Sequence, residues 1–137
     1  AVLAIFPLEG DATDDETISA ICWRAREVAQ EIVSRIVMMP IVPEHAALQC
    51  AIGLHFGDLM YGNIGVPGRL EFTVVGAAAN EAARLEGLCK TLDFPVLVSA
   101  GFARFFPGEL ASVGRHALRG VAEPQEVFTL PDLLGEV

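Results

Sequence analysis

From Arg69 to Glu86 the chain reads as a strand that turns at Gly76 into a helix carrying Asn80 and Arg84. Those two residues stand four apart, so their side chains share one helical face. A neutral amide beside a permanent cation suits a ligand on which negative charge builds up during reaction. Ala83 and Gly87 flank the pair, and such small neighbours leave room for a ligand or a second protein surface. Ala78, Ala82, Leu85 and Cys89 form the opposite, core-facing stripe. A plainer reading fits the same spacing: Arg84 pairs with Glu81 or another carboxylate, and Asn80 is a solvated or capping residue.

Other candidates for chemistry are weaker. Gly53, Gly57, Gly62 and Gly65 form neither G-x-G-x-x-G nor G-x-x-x-x-G-K-[ST], the two common phosphate-cradling loops, and read as hairpin and bulge glycines. His45, His55 and His116 lack metal-ligand spacing, and His55, on a strand, reads as a structural histidine. Asp11, Asp14, Asp15 and Glu16 crowd a helix start, where capping accounts for them. No Ser-His-Asp or Cys-His arrangement is legible. Cys22, Cys50 and Cys89 are odd in number, far apart and without a C-x-x-C, which points to buried free thiols in a reducing compartment.

The elements that must position these residues fit within one domain of 137 residues, and a hydrophobic content of 53 % excludes disorder. The longest apolar runs fall far short of the ~20 residues that cross a bilayer. A net charge of −9, with a single lysine and eight arginines, disfavours nucleic acid and anionic lipid as partners. A phosphate-bearing ligand would depend on a few well-placed arginines, of which Arg84 and Arg119 are the candidates.

Val2-Leu3-Ala4-Ile5-Phe6 reads as a buried strand. Thr13 and Glu16 have the form of a capping box, followed by Ile18, Cys22, Ala25, Ala29, Ile32 and Ile36 at helical spacing, widened by Ile21, Val28 and Val33; Pro40 and Pro43 end the helix. Cys50, Ile52, Leu54 and Phe56 alternate as in a strand, and Gly57-Asp58 predicts a hairpin to Leu59-Met60-Tyr61. A helix over 78–92, a buried strand over 94–99, a short helix over 101–106 and two strands near 112–118 and 126–130 complete the pattern. It predicts an α+β sandwich with helices on one face of a largely antiparallel sheet.

In chain order, Ile52-Gly53-Leu54-His55-Phe56-Gly57, Tyr61-Gly62-Asn63-Ile64-Gly65, Arg69 through Gly76, and Asn80-Glu81-Ala82-Ala83-Arg84-Leu85-Glu86 resemble the class III nucleotidyl cyclases. Leu118-Arg119-Gly120-Val121 and the strand after it resemble the end of the same catalytic domain, so the likeness extends over nearly the whole chain. The resemblance implies a ferredoxin-like sandwich that converts a nucleoside triphosphate to a 3′,5′-cyclic monophosphate and pyrophosphate. It implies two divalent metals, magnesium or manganese, held by two aspartates, and a homodimer with its active sites at the interface. Within it Asn80 would orient the ribose, Arg84 would stabilise charge on the reacting phosphates, Thr73 would select the base and Arg119 would grip the terminal phosphates. With threonine as base selector the implied substrate is ATP, making the protein an adenylate cyclase of intracellular signal transduction. Guanylate cyclase is the alternative, as is a catalytically silent module for dimerisation or nucleotide sensing.

Departures from the pattern matter as well. Ala77 and Ala79 stand where an aspartate and a valine are usual, neither a recognised catalytic position. Arg119 stands where lysine is usual. In the family, the strand resembled by residues 1–6 follows a Gly-Asp whose aspartate binds metal, and a base-reading lysine and the first metal aspartate lie further upstream. None of these is in this sequence. The expectation is a single domain over residues 1–137, the C-terminal portion of a cyclase catalytic domain, supplying no metal ligand and inactive by itself. A cytoplasmic location is expected, with any sensor or membrane domain elsewhere in the protein.

Overall fold

A computed structural model describes residues 2–8, 14–37, 50–64, 71–118 and 123–133. Its elements are α1 (Asp15–Val37), β1 (Ile52–Leu54), β2 (Met60–Ile64), β3 (Glu71–Val75), α2 (Ala77–Leu92), β4 (Val96–Ser99), α3 (Ala100–Ala103), β5 (Ala111–His116) and β6 (Gln125–Thr129), then a 3-10 turn, Pro131–Leu133. Four strands form one sheet in the order β1-β4-β6-β5, and β2 and β3 form a separate two-stranded ribbon.

β4 explains the layering. Val96, Leu97, Val98 and Ser99 are all buried, as happens only in a strand covered on both faces. Val96 and Val98 join Leu54 and Leu130 beneath the α1 stripe of Ile18, Cys22, Ala25, Ala29 and Val33. Leu97 points the other way, into a second cluster with Leu85 and Cys89 of α2, Leu118, and Val127 of β6. The α+β class is as expected, but α1 and α2 lie on opposite faces of the sheet. The apolar stripe of α1 is also narrower than the pattern suggests, since Val28 and Ile32 are each 41 % exposed.

The hairpin expected around Gly57-Asp58 does not form. β1 pairs in parallel with β4, matching Ile52 to Val96 and Leu54 to Val98. β2 instead pairs antiparallel with β3, Met60 opposite Val75 and Gly62 opposite Thr73. A parallel neighbour buries β1 on both faces, which suits its sequence. Ile52 packs toward α1, and Gly53 lies under α2, where a Cβ would stand 2.6 Å from the Ala82 carbonyl oxygen and 2.8 Å from Leu85 Cβ. Only glycine admits so close a helix.

Two further expectations shift. Residues 2–8 take no strand conformation: Val2 is 95 % exposed, while Phe6 and Leu8 pack against the α1 cluster. Apolar content without a ladder partner among the described strands makes a packed segment, not a strand. At the start of α1, Asp14 does the capping: its carboxylate accepts from Thr17 Oγ1 at 2.6 Å and Thr17 N–H at 3.4 Å. The Thr17 hydroxyl bond holds the Asp14 carboxyl below its ordinary value. Thr13 lies outside the described residues, as do His45, Pro40 and Pro43.

Candidate functional site

Gly76 forms the corner between β3 and α2, with φ +148° and ψ 155°, a region open essentially to glycine alone. It also packs closely on the chain passing it, since a Cβ would lie 3.1 Å from the Asp58 carbonyl. α2 therefore starts abruptly, without a side-chain cap and without an acidic residue in its first turn. Asn80 ends that turn, and Arg84 follows one turn later; both are exposed. Leu85 and Cys89, at 0 % and 2 % exposure, form the buried side. The helical wheel holds as read from the sequence.

The ion pairs of α2 separate the two readings of Arg84. Glu81 pairs with Nε2 of His55 at 2.5 Å, and Glu86 pairs with Lys90 at 3.3 Å. Arg84 makes no ion pair or hydrogen bond among the described residues. Its guanidinium is exposed one turn after Asn80, and the uncapped positive end of the helix dipole lies one turn before Asn80 and about two before Arg84. Both groups favour negative charge at this face.

Thr73 sits in the middle of β3, three residues before the glycine corner, opposite Gly62. The structure brings its backbone onto the ribbon that leads into α2. Arg119 lies outside the described residues. Among the described residues no group of three or more His, Cys, Asp or Glu could hold a metal ion. Cys22, Cys50 and Cys89 are free, as expected, and burial raises all three thiols, Cys22 and Cys89 to about 11.

A polar chain missed by sequence reasoning crosses the α2 side of the sheet. His55 Nδ1 lies 2.8 Å from Ser99 Oγ, while Nε2 faces Glu81. Burial lowers the His55 pKa from 6.5, and the Glu81 charge opposes that shift more weakly. The neutral imidazole satisfies both contacts when Nε2–H donates to Glu81 and the Ser99 hydroxyl donates to Nδ1. Ser99 Oγ also accepts the Phe102 amide at 3.1 Å, capping α3. A Ser-His-Glu series invites comparison with a nucleophilic triad, but Ser99 is 8 % exposed and its oxygen is committed to the cap, so the chain reads as structural. One signal for it was available: Glu81 lies one turn before Leu85, at the border of the apolar stripe, where a carboxylate needs a partner.

Beside this chain lies a cavity of about 180 Å³ lined by His55, Glu81, Leu85, Ser99, Gly101 and Val127, among others. Neither Asn80 nor Arg84 lines it. Sites for ligands of drug size run from roughly 300 Å³ upward, so a nucleotide would not fit. The Asn80–Arg84 face is an open surface instead.

No family model matches the chain. The uncharacterized protein Rv1318c of Mycobacterium tuberculosis is 37 % identical over 95 residues, which cover 66 % of this chain and 18 % of that protein. An adenylate cyclase of Anabaena cylindrica is 35 % identical over 57 residues, 42 % of this chain and 11 % of that one. The chain thus spans less than a fifth of these relatives. Among solved structures, a bacterial light-regulated adenylyl cyclase superposes with a TM-score of 0.60 at 23 % identity, covering 87 % of this chain and 34 % of that one. The adenylyl cyclase CyaB of P. aeruginosa gives 0.51 at 19 % identity, covering 90 % and 67 %. The chain has the fold of these adenylyl cyclases, and its sequence is similar to the Anabaena cylindrica adenylate cyclase over 57 residues.

Proposed function

We propose that this domain serves an adenylate cyclase, which closes ATP to 3′,5′-cyclic AMP and releases pyrophosphate. The ribose 3′-oxygen loses its proton and bonds to the α-phosphorus, while the bond from that phosphorus to the bridging oxygen breaks. Negative charge grows on the α-phosphate oxygens and on the leaving pyrophosphate. Arg84, outward-facing and uncommitted among the described residues, would stabilise that charge, and Asn80 one turn before it would orient the ribose. Thr73 would select adenine and Arg119 would hold the terminal phosphates.

The observation that carries this reading is the division of labour on α2. Glu81 and Glu86 are engaged with His55 and Lys90, while the cation beside Asn80 is left for a ligand. The open surface around them suits a site completed by a second protein surface, which supports a homodimer with the nucleotide at its interface. Among the described residues no group of three or more His, Cys, Asp or Glu could hold a metal ion, and in this reading the metal aspartates would come from another segment of the full-length protein. The same observation favours a second reading, a silent cyclase-like module for dimerisation or nucleotide sensing. Turnover of ATP and GTP at matched concentrations by the full-length gene product decides among these. Cyclic AMP as the main product supports the proposal, cyclic GMP as the main product favours the guanylate alternative, and formation of neither favours the silent module.

A further inference from the structure

We infer that His55 is a positioning residue: clasped between Ser99 of β4 and Glu81 of α2, it fixes the first two turns of α2 and so the placement of Asn80 and Arg84. The inference rests on the reading of Asn80 and Arg84 as catalytic residues, and it adds a residue that touches neither substrate nor reacting atoms.

The N-terminal end of α2 is weakly anchored. Gly76 provides no side-chain cap, and the first turn, Ala77-Ala78-Ala79-Asn80, has no acidic residue to oppose the dipole. Alanine propagates a helix well but anchors it to nothing. The large buried anchors, Leu85 and Cys89, lie in its second half. The first half is held by close backbone packing over Gly53 and by one directional contact, His55 to Glu81. Glu81 is the immediate neighbour of Asn80 and three residues from Arg84, so whatever holds its carboxylate also sets the rotation of that turn.

His55 suits the task because it is itself held. Its side chain is 11 % exposed, it follows directly on β1, and the Ser99 hydroxyl orients the ring from the neighbouring strand. Polar and charged side chains face the imidazole from three elements, α2 through Glu81, β4 through Ser99, and β6 through Gln125 and Glu126 across the cavity, while α3 packs against the ring through Gly101. Glu126 is occupied with Ser112 Oγ at 3.0 Å, which leaves Glu81 as the carboxylate that engages the ring. Protonation at Nδ1 would turn a proton toward Ser99, whose oxygen already accepts from Phe102, and would reverse the clasp on that side.

The test compares the full-length gene product with His55→Ala, Glu81→Ala, the double variant His55→Gln/Glu81→Gln, and Arg84→Ala. Amide hydrogen exchange and ATP turnover are measured on each. His55→Ala is expected to speed exchange across residues 77–84 by about tenfold or more while β4 and β6 stay protected. It should lower kcat by a similar factor with KM changed less than twofold. The paired glutamines restore a neutral hydrogen bond at the same place, so exchange protection over 77–84 and kcat both return toward the natural values. Glu81→Ala, at a half-exposed position, gives the same local loosening where His55→Ala fails to fold. Unchanged exchange over 77–84 in the alanine variants, or equal acceleration in β4 and β6, overturns the inference. Loosening of 77–84 together with full activity in Arg84→Ala leaves the clasp standing and removes the catalytic reading instead.

Discussion

Replacing Gly53 by alanine tests the packing that places α2. At a strand position that tolerates a side chain, this exchange stabilises by about 0.4–1 kcal/mol, because it restricts the unfolded chain. Here the added Cβ would meet Ala82 O at 2.6 Å, Leu85 Cβ at 2.8 Å and Glu86 N at 3.0 Å. Two of the three are backbone atoms and the third is a Cβ, so no side chain can rotate away. To bring 2.6 Å out to the 3.4 Å of ordinary contact, α2 must retreat from β1 by about 0.8 Å. Overpacking of this kind costs about 1–3 kcal/mol, more than the entropic gain. Urea unfolding followed by Trp23, the only tryptophan in the sequence, should show a lower midpoint at unchanged slope. The same retreat displaces Asn80 and Arg84, and misplacement on the order of 1 Å can cost ~10²-fold in rate. A variant as stable as the natural chain, with unaltered turnover, would refute the view that Gly53 sets the seat of α2.

Other outcomes follow from the same geometry. Burial holds folded His55 neutral below the 6.5 at which the unfolded chain takes up its proton, so the unfolded state binds more protons as pH falls through 6.5. Stability should therefore decline on acidification from that point, by up to ~1.4 kcal/mol per pH unit, and His55→Gln should flatten this part of the urea-midpoint profile; an equal slope in both would contradict it. Thr73→Cys should move the ratio of ATP to GTP turnover toward GTP by about tenfold, the scale of one altered contact, and a constant ratio would remove Thr73 from base selection. The 137-residue chain alone should form no cyclic AMP from ATP and manganese; measurable product would mean that its own residues assemble a complete site.

Local features of this chain were legible in its residues, and long-range ones were not. The α2 wheel was readable because Leu85 and Cys89 repeat at helical spacing opposite Asn80 and Arg84, and periodicity records which face is buried. The apolar run of β4 likewise announced a strand covered on both sides. The partner of β1 was not readable: Gly57-Asp58 is a sound hairpin signal, yet parallel pairing with β4 buries Ile52 and Gly53 on opposite faces, a gain visible only with both helices in place. For the same reason α1 and α2 could not be assigned to separate faces. The His55–Ser99 contact joins residues 44 positions apart, and neither carries a motif. Val2 to Phe6 had the composition of a strand but not a neighbour to pair with among the described strands.

Arg84 concentrates the central claim, since the pairing of Glu81 and Glu86 with His55 and Lys90 is what would leave its charge for a ligand in the proposed function. The direct measurement is cyclic AMP formation from ATP by the full-length gene product beside its Arg84→Ala variant, with hydrogen exchange confirming that both are folded. The account predicts turnover by the natural protein and a loss of ~10²-fold or more in the variant, about 3 kcal/mol, the scale of removing one preorganised donor from developing negative charge. Equal rates in the two proteins would contradict it.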